Sequence, residues 1–208
     1  MLVIRYRKHL PHILPDGAIY FVTFRLYGSI PLSKLKQLKN RYDTLLSQIP
    51  GSHKGKIQNL NAQYESERED IIEQINKGPI YLAMPEIAEL LKFQIHKFDN
   101  QFYELICYCI MSNHVHLLID TSIQLRNSQV VLPLFNILKL IKGPTAIASN
   151  KMLNKSGQFW MTESYDRIIR DDKEMFNTYA YILNNPLKAN LVKDWKDWPY
   201  SYSNPKFT

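Results

Sequence analysis

The 208-residue chain is predicted to form an α+β fold with a central antiparallel sheet and an inserted helical hairpin. Three observations support this prediction. Short segments rich in aromatic and β-branched residues indicate strands, and longer segments repeat apolar residues every three or four positions, as amphipathic helices do. A hydrophobic fraction of 45% with 22% charged residues is typical of a globular chain and excludes a disordered or fibrous one.

The first half of the chain is predicted to contain one strand and three helices. Residues Ala18 to Leu26 follow a Pro-Asp-Gly turn signal and are rich in aromatic and β-branched residues, which favours a strand. Helical stripes run from Leu32 to Ile49 and from Ile57 to Asn76, with a Pro-Gly-Ser break between them, and predict a helical hairpin at about 32–77. A third helix is predicted from Pro85 to Asp99, because proline suits a first helical turn.

The second half is predicted to form a β-hairpin, a helix, an irregular strand and a last helix. In chain order these elements cover Phe102 to Ile110, His114 to Asp120, Leu134 to Met152, Gly157 to Arg170 and a helix that begins at Asp171. Only three residues separate the first two runs, which is a hairpin-length connection. Gly143-Pro144 predicts a kink or break in the long helix, and the last helix is expected to stop before Pro186.

The predicted order of elements is strand, inserted helical hairpin, helix, two strands, helix, strand and helix. Without the insertion, this order is the split βαβ arrangement of ferredoxin-like domains. We therefore expect residues 1–208 to form a single domain with the hairpin inserted at about 32–77. At about 100 to 200 residues per domain, two domains are disfavoured.

Charge and composition narrow the possible functions. Lys and Arg number 26 against 19 for Asp and Glu, so the net charge is +7 and the isoelectric point about 9.3. Basic domains of this kind are candidates for nucleic-acid binding, although a modest excess can also serve solubility alone. The longest uncharged apolar stretch, Leu105 to Met111, is too short for a membrane span. Cys107 and Cys109 are expected to be buried thiols and not a disulfide.

Two histidines stand two residues apart in the predicted strand from His114 to Asp120. Alternate residues of a strand share a face, so the imidazoles of His114 and His116 are expected to lie side by side. Two neutral imidazoles at this spacing can share one metal ion, but a metal needs at least one further ligand. The alternative is a pair of surface histidines on a half-exposed strand, and spacing alone does not decide between the two.

A tyrosine and an asparagine share one stripe of the last predicted helix. Tyr181 and Asn185 are four residues apart and therefore neighbours, whereas Tyr179 points to nearly the opposite side. Asn185 can offer a carbonyl oxygen to a metal, and Tyr181 a phenolate to an electrophile. The alternatives are a tyrosine that packs with its hydroxyl at the surface and an asparagine that only ends the helix before proline.

Together these clusters resemble a known family. The segment CYCIMSNHVHLLID, followed about 40 residues later by FWMTESYDRIIRDD and then by YILNNPLKANLV and WKDWPYSYS, is similar to the REP-associated tyrosine transposases, which belong to the single-tyrosine HUH superfamily. The segment RKHLPHILPDGAIYFVTFRL resembles the opening strand of that family and its approach. Departures are Ser112, where many relatives carry proline, and Met161-Thr162, where relatives tend to carry Gln and Arg.

The resemblance implies a fold, an activity and a site. It implies a ferredoxin-like domain in which His114, His116 and Asn185 bind Mg²⁺ or Mn²⁺, and in which Tyr181 is the nucleophile. The implied reaction is metal-dependent cleavage and strand transfer of single-stranded DNA next to palindromic hairpin repeats, through a 5′-phosphotyrosine intermediate. We therefore expect a cytoplasmic, nucleoid-associated transposase that is a monomer or a homodimer.

Seven basic residues are candidate phosphate contacts: Arg5, Arg7, Lys8, Lys142, Arg167, Arg170 and Lys188. Lys142 aligns with a basic residue of the relatives, and the others are chosen for their charge. For each, the alternative is an ordinary solvated side chain. Three other functions stay open at this point: a catalytically silent protein that binds DNA hairpins, a hydrolase in which the histidines activate water, and an RNA-binding ferredoxin-like domain.

Overall fold

The computed structural model describes residues 3–7, 11–15, 17–30, 32–73, 78–127 and 131–207. The chain divides into two compact units, a main unit of residues 1–26 and 80–208 and an inserted unit of residues 27–79. Among the described residues, no helix combines the length and the apolar character that a membrane crossing requires.

The strands of the described residues form two sheets. The strands are β1 (Val3–Arg7), β2 (Pro11–Pro15), β3 (Ile19–Arg25), β4 (Glu104–Ile110), β5 (His114–Asp120), β6 (Tyr165–Ile168) and β7 (Ser201–Ser203). The larger sheet has the order β6-β3-β5-β4-β7, and every neighbouring pair is antiparallel. Strands β1 and β2 form a separate antiparallel pair.

The helices are α1 (Leu32–Ser47), α2 (Lys54–Glu73), α3 (Pro85–His96), α4 (Ile123–Asn127), α5 (Leu134–Met152), α6 (Asp172–Leu183) and α7 (Asn185–Lys188). Helix α3 lies between β3 and β4 along the chain, and α5 lies between β5 and β6. The first four core strands therefore follow the strand-helix-strand-strand-helix-strand order of a split βαβ unit. The predicted α+β fold with a ferredoxin-like core and an antiparallel sheet is confirmed.

Each face of the large sheet is covered by different helices. Val115, Leu117 and Ile119 alternate along β5 and are fully buried in the larger core cluster, to which α3 and α5 contribute. Leu118 belongs to a second cluster on the opposite face, together with Ile182 of α6. The alternation predicted for β5 is therefore observed, and it directs the histidines of β5 towards the α6 face.

Helix α5 continues through Pro144, where the sequence predicts a kink or break. Proline has no N–H, so the carbonyl oxygen four residues earlier, that of Leu140, loses its intrahelical donor. The buried side chain of Gln94 on α3 replaces that donor, with Nε2 donating to the Leu140 oxygen at 2.9 Å. A neighbouring helix thus satisfies the group that proline leaves unpaired, and the helix is not interrupted.

The inserted unit contains the predicted helical hairpin. The hydroxyl of Tyr42 on α1 donates to the side-chain oxygen of Asn61 on α2 at 2.7 Å, and the rings of Tyr42 and Tyr64 lie 4.4 Å apart. Arg41 and Glu67 form an ion pair between the same helices. The end of the second predicted helix, residues 74–77, lies outside the described residues. The single-domain organisation of residues 1–208 stays a prediction.

Several elements differ from the prediction. Strands β1, β2 and β7 and helix α4 are not predicted by the sequence pattern. In the predicted irregular strand from Gly157 to Arg170, only β6 pairs along a ladder, and Trp160 forms an isolated bridge to Leu26. Cys107 and Cys109 are free and buried, as expected.

Candidate active site

The candidate site lies on the α6 face of the sheet, where β3 and β5 run side by side. Thr23 of β3 is opposite His116 of β5, and Arg25 is opposite His114. Because alternate residues share a face, these four side chains lie on the same face. All four are buried, with at most 6% of their surface exposed. The burial excludes the alternative of two histidines on a half-exposed surface strand.

The hydrogen bonds of the two histidines leave the same ring atom open. The Nδ1 of His116 lies 2.8 Å from the hydroxyl of Thr23, and the Nδ1 of His114 lies 2.7 Å from the side-chain oxygen of Asn113. An amide oxygen only accepts, so the Nδ1 of His114 carries the proton and its Nε2 carries the lone pair. The Nε2 atoms of both rings are buried and make no hydrogen bond among the described residues.

The surroundings of the histidines favour the neutral imidazole. Burial lowers the pKa of His114 well below its ordinary value, and the nearby charge of Arg25 lowers it further. Burial also lowers the pKa of His116 to about 3, with smaller contributions from the charges of Arg25 and Lys188. The side chain of Asn185, next to the ring, opposes that shift. Neutral imidazoles with an open nitrogen are the form that binds metals.

Helix α6 brings the predicted tyrosine and asparagine to the histidines. The helix begins after Asp171, whose side chain accepts from the backbone N–H of Glu174 at 2.8 Å. The ring of Tyr181 lies 5.3 Å from that of His116, between centroids. Asn185 is buried and begins α7, and its side-chain nitrogen donates to the Tyr181 carbonyl oxygen at 2.9 Å. The structure thus places all four predicted site residues together.

Two further side chains define the surroundings of Tyr181. The ammonium group of Lys188 lies 4.4 Å from the centre of the Tyr181 ring. The hydroxyl of Tyr179 instead lies 2.5 Å from that of Ser203 on β7. Tyr179 is therefore engaged with the sheet edge, whereas Tyr181 lies beside the histidines. No group of three or more His, Cys, Asp or Glu side chains suited to a metal occurs in the described part of the chain. The metal-binding role of His114, His116 and Asn185 stays a prediction.

Comparisons with known proteins agree with the resemblance that the motifs predict. No family model matches the chain. A Haemophilus influenzae protein named REP-associated tyrosine transposase is 26% identical over 140 residues, which are 60% of this chain and 80% of that protein. A solved structure of a REP-associated tyrosine transposase bound to a REP hairpin matches with a TM-score of 0.55 and 16% identity, over 95% of this chain and 81% of that one. The resemblance to REP-associated tyrosine transposases is confirmed. An enzyme of that kind is therefore supported.

The basic residues predicted to contact DNA have different surroundings. Arg167 forms a 2.7 Å ion pair with Glu174 of α6, and Arg170 is exposed. Lys142 lies against a cleft of about 710 Å³ between α5 and residues 157–166, and it donates to the Met161 carbonyl oxygen at 2.9 Å. Burial lowers the pKa of Lys142 to about 8. Lys142 is therefore not an ordinary solvated lysine.

Three of the other candidate DNA contacts are described only in part or not at all. Arg5 and Arg7 belong to β1, where the structure describes the backbone alone, and Lys8 lies outside the described residues. Lys188 is described, and its ammonium group lies next to the ring of Tyr181. The roles of the seven residues stay predictions.

Sequence reasoning missed Thr23, Arg25 and Asn113, which surround the histidine pair. Asn113 directly precedes His114 and accepts a hydrogen bond from its Nδ1. Histidines that bind metals usually donate their other ring N–H to such an acceptor, so Asn113 could have been predicted from its position in the sequence. Thr23 and Arg25 give no such signal, because only the register between β3 and β5 places them opposite the histidines.

Proposed function

We propose that this chain is a metal-dependent nuclease and strand transferase that acts on single-stranded DNA next to palindromic hairpin repeats, through a 5′-phosphotyrosine intermediate. One observation carries the proposal: the ring of Tyr181 lies 5.3 Å from His116, on a buried face where two histidines present open Nε2 atoms. The relatives support the substrate, because one is named for REP-associated transposition and the other is described as bound to a REP hairpin.

The donor set on this face fits a divalent metal. Both Nε2 atoms are buried without a hydrogen-bond partner among the described residues, and the nitrogen of the Asn185 amide is engaged with the Tyr181 carbonyl. The Asn185 oxygen is therefore the amide atom with lone pairs to offer. We propose that His114, His116 and Asn185 hold Mg²⁺ or Mn²⁺. When bound, such an ion polarises a phosphate oxygen and neutralises part of its charge.

In the proposed reaction of Tyr181, one phosphate ester is exchanged for another. The phenolic oxygen forms a bond to the scissile phosphorus, and the bond from phosphorus to the 3′ oxygen breaks. The phenol proton passes to solvent water, and the departing 3′ oxygen takes up a proton. The ammonium group of Lys188, 4.4 Å from the ring centre, places a positive charge next to the attacking residue. Because one phosphate ester replaces another, rejoining by a 3′-hydroxyl needs no nucleotide cofactor.

A denaturing-gel assay tests the nuclease. The purified protein is incubated with a labelled single-stranded oligonucleotide that carries the hairpin found beside its own gene, with Mn²⁺ or Mg²⁺. Tyr181→Phe is compared with Tyr179→Phe, a matched control whose hydroxyl is engaged with Ser203. The expected result is a slow-migrating covalent adduct that is lost in Tyr181→Phe and in EDTA but kept in Tyr179→Phe.

Two other outcomes overturn parts of the proposal. If DNA binds without an adduct in the wild type, the chain is a catalytically silent hairpin-binding protein. If the DNA is still cut by Tyr181→Phe, the tyrosine mechanism is wrong and a metal-activated water replaces it. Migration of the wild type with and without DNA in size-exclusion chromatography with light scattering distinguishes a monomer from a homodimer.

A further inference from the structure

Arg167 of β6 is bound to helix α6, the helix that carries Tyr181. One terminal nitrogen of its guanidinium donates to the carboxylate of Glu174 at 2.7 Å, and the other donates to the hydroxyl of Thr178 at 3.2 Å. The two acceptors lie four residues apart, about one helical turn. A planar guanidinium can reach both at once, because its donors form a rigid fork. Arg167 thus joins strand β6 to α6 at two points.

The two residues that Arg167 binds lie on the same helical stripe as the candidate site. This stripe consists of Glu174, Thr178, Tyr181 and Asn185, at steps of four, three and four residues. The Asn185 side chain keeps the stripe continuous into α7 by donating to the Tyr181 carbonyl oxygen at 2.9 Å. Any rotation or shift of the helix at its contacts with Arg167 therefore displaces Tyr181 as well.

Phe21 of β3 fills the space between Arg167 and the rings of the candidate site. It lies directly opposite Arg167 in the ladder of β3 and β6, with the guanidinium carbon 5.6 Å from its ring centre. The Phe21 ring is 1% exposed, lies 5.7 Å from the ring of His116 and meets the ring of Tyr181 edge-on at 5.9 Å. The guanidinium that holds α6 therefore also contacts the ring against which His116 and Tyr181 pack.

Glu174 is held in place independently of Arg167. Its second carboxylate oxygen accepts from the backbone N–H of Arg170 at 2.9 Å, and its own backbone N–H donates to the Asp171 side chain. The Glu174 side chain is only 19% exposed. Arg167 would have to give up this partner before it could neutralise a DNA phosphate, whereas the side chain of Arg170 is exposed.

We infer that Arg167 is a positioning residue that, together with Glu174, fixes the rotation and axial position of α6 and so places Tyr181 for attack on the scissile phosphodiester. This inference rests on the proposed nuclease, and it gives Arg167 a role other than the phosphate contact expected from its charge. Correct placement matters because a displacement of about 1 Å can cost about 10²-fold in rate.

The test compares the wild type with Arg167→Gln, Arg167→Lys, Glu174→Gln and the double variant Arg167→Gln/Glu174→Gln. Arg126→Gln and Glu89→Gln are matched controls that remove the same charges at exposed positions of α4 and α3. The rate of adduct formation is measured at saturating hairpin DNA, and the DNA dissociation constant by fluorescence anisotropy. Each variant is assayed well below its own melting temperature.

The expected result is a loss of rate without a loss of binding. Arg167→Gln should form the adduct about 10²-fold more slowly, with a dissociation constant within about threefold of the wild type. Glu174→Gln should be about tenfold slower, and the double variant about as slow as Arg167→Gln, because the two residues act as a unit. Arg167→Lys should be intermediate, since an ammonium keeps the ion pair without the fork that also reaches Thr178. Both controls should match the wild type.

Two results overturn the positioning role. A phosphate contact predicts that Arg167→Gln binds DNA more weakly with a shallower salt dependence, whereas Glu174→Gln binds DNA more tightly and reacts no more slowly. A role in stability alone predicts that the rate losses disappear at temperatures where every variant is fully folded.

The same experiment separates this inference from the proposed function. If the wild type forms an adduct and the Arg167 and Glu174 variants form it at the same rate, the positioning role is wrong and the nuclease stands. If the wild type forms no adduct, the nuclease is wrong and the inference falls with it. If Arg167→Gln does not fold, Arg167→Lys and Glu174→Gln decide, and undiminished rates in both overturn the inference.

Discussion

The contact between Gln94 and the Leu140 carbonyl makes a quantitative prediction about helix α5. Pro144 removes the backbone donor of that carbonyl, and the Gln94 side chain supplies another at 2.9 Å. Gln94→Met keeps an unbranched side chain of similar length but cannot donate a hydrogen bond. We therefore expect Gln94→Met to destabilise the protein when Pro144 is present and to have little effect when residue 144 is alanine.

The expected size follows from the burial of the contact. A buried acceptor left without its partner costs about 1–3 kcal/mol, and the apolar methionine offsets part of that cost. The net loss for Gln94→Met is therefore about 1–2 kcal/mol. In Pro144→Ala the new N–H of residue 144 donates to the Leu140 oxygen, so the loss falls to a few tenths of a kcal/mol. The coupling energy between the two sites is then about 1–2 kcal/mol.

Urea unfolding of the four proteins measures this coupling. Fluorescence follows the main unit, because the indole N–H of Trp160 donates to Thr145 of α5 at 3.0 Å. Distant sites are additive within about 0.3–0.5 kcal/mol. A coupling energy inside that range would show that Gln94 does not compensate for Pro144, and the account of the unbroken helix would be wrong.

Three further predictions concern the candidate site. Thr23→Val keeps the shape of the side chain but removes the partner of the His116 Nδ1; since such partners contribute about 10–100-fold to metal affinity, Mn²⁺ titration calorimetry should show a loss of that order. The pKa of His116 is about 3 in the folded chain and about 6.5 in the unfolded chain, so between these pH values only the unfolded chain binds a proton at His116. The free energy of unfolding therefore decreases as the pH falls from about 6.5 towards about 3. In metal-free urea titrations, His116→Gln should reduce that slope by up to about 1.4 kcal/mol per pH unit, and an unchanged slope would contradict burial of the ring. Asp171→Ala removes the N-cap of α6 and should cost about 1 kcal/mol in urea unfolding, while the adduct rate at low temperature stays close to that of the wild type.

Local sequence patterns predict much of this fold because the signals lie within single elements. The alternation of β5 places Val115 and Leu117 on one face and the histidines on the other, without any knowledge of the neighbouring strands. The helical spacing of Tyr181 and Asn185 survives the change from α6 to α7, since Asn185 still bonds to the Tyr181 carbonyl.

The remaining features depend on contacts between distant segments. Helix α5 is not broken at Pro144, and Gln94 from another helix satisfies the carbonyl oxygen that proline leaves unpaired; a kink at this position stays a prediction. The three-residue strand β7 becomes a strand only by pairing with β4. Arg25 enters the site through the register of β3 against β5, which no pattern around residue 25 reveals.

The position of β3 between β5 and β6 has a consequence for how the protein is made. Its partners in the sheet are β5, about 90 residues later in the chain, and β6, about 140 residues later. At about 5–20 residues per second, this apolar strand leaves the ribosome many seconds before either neighbour exists. Tyr181 emerges later still, so a nascent chain that already holds both histidines has no tyrosine beside them. The candidate site is thus assembled only after Tyr181 has been synthesised, and folding is limited by the slow meeting of distant segments.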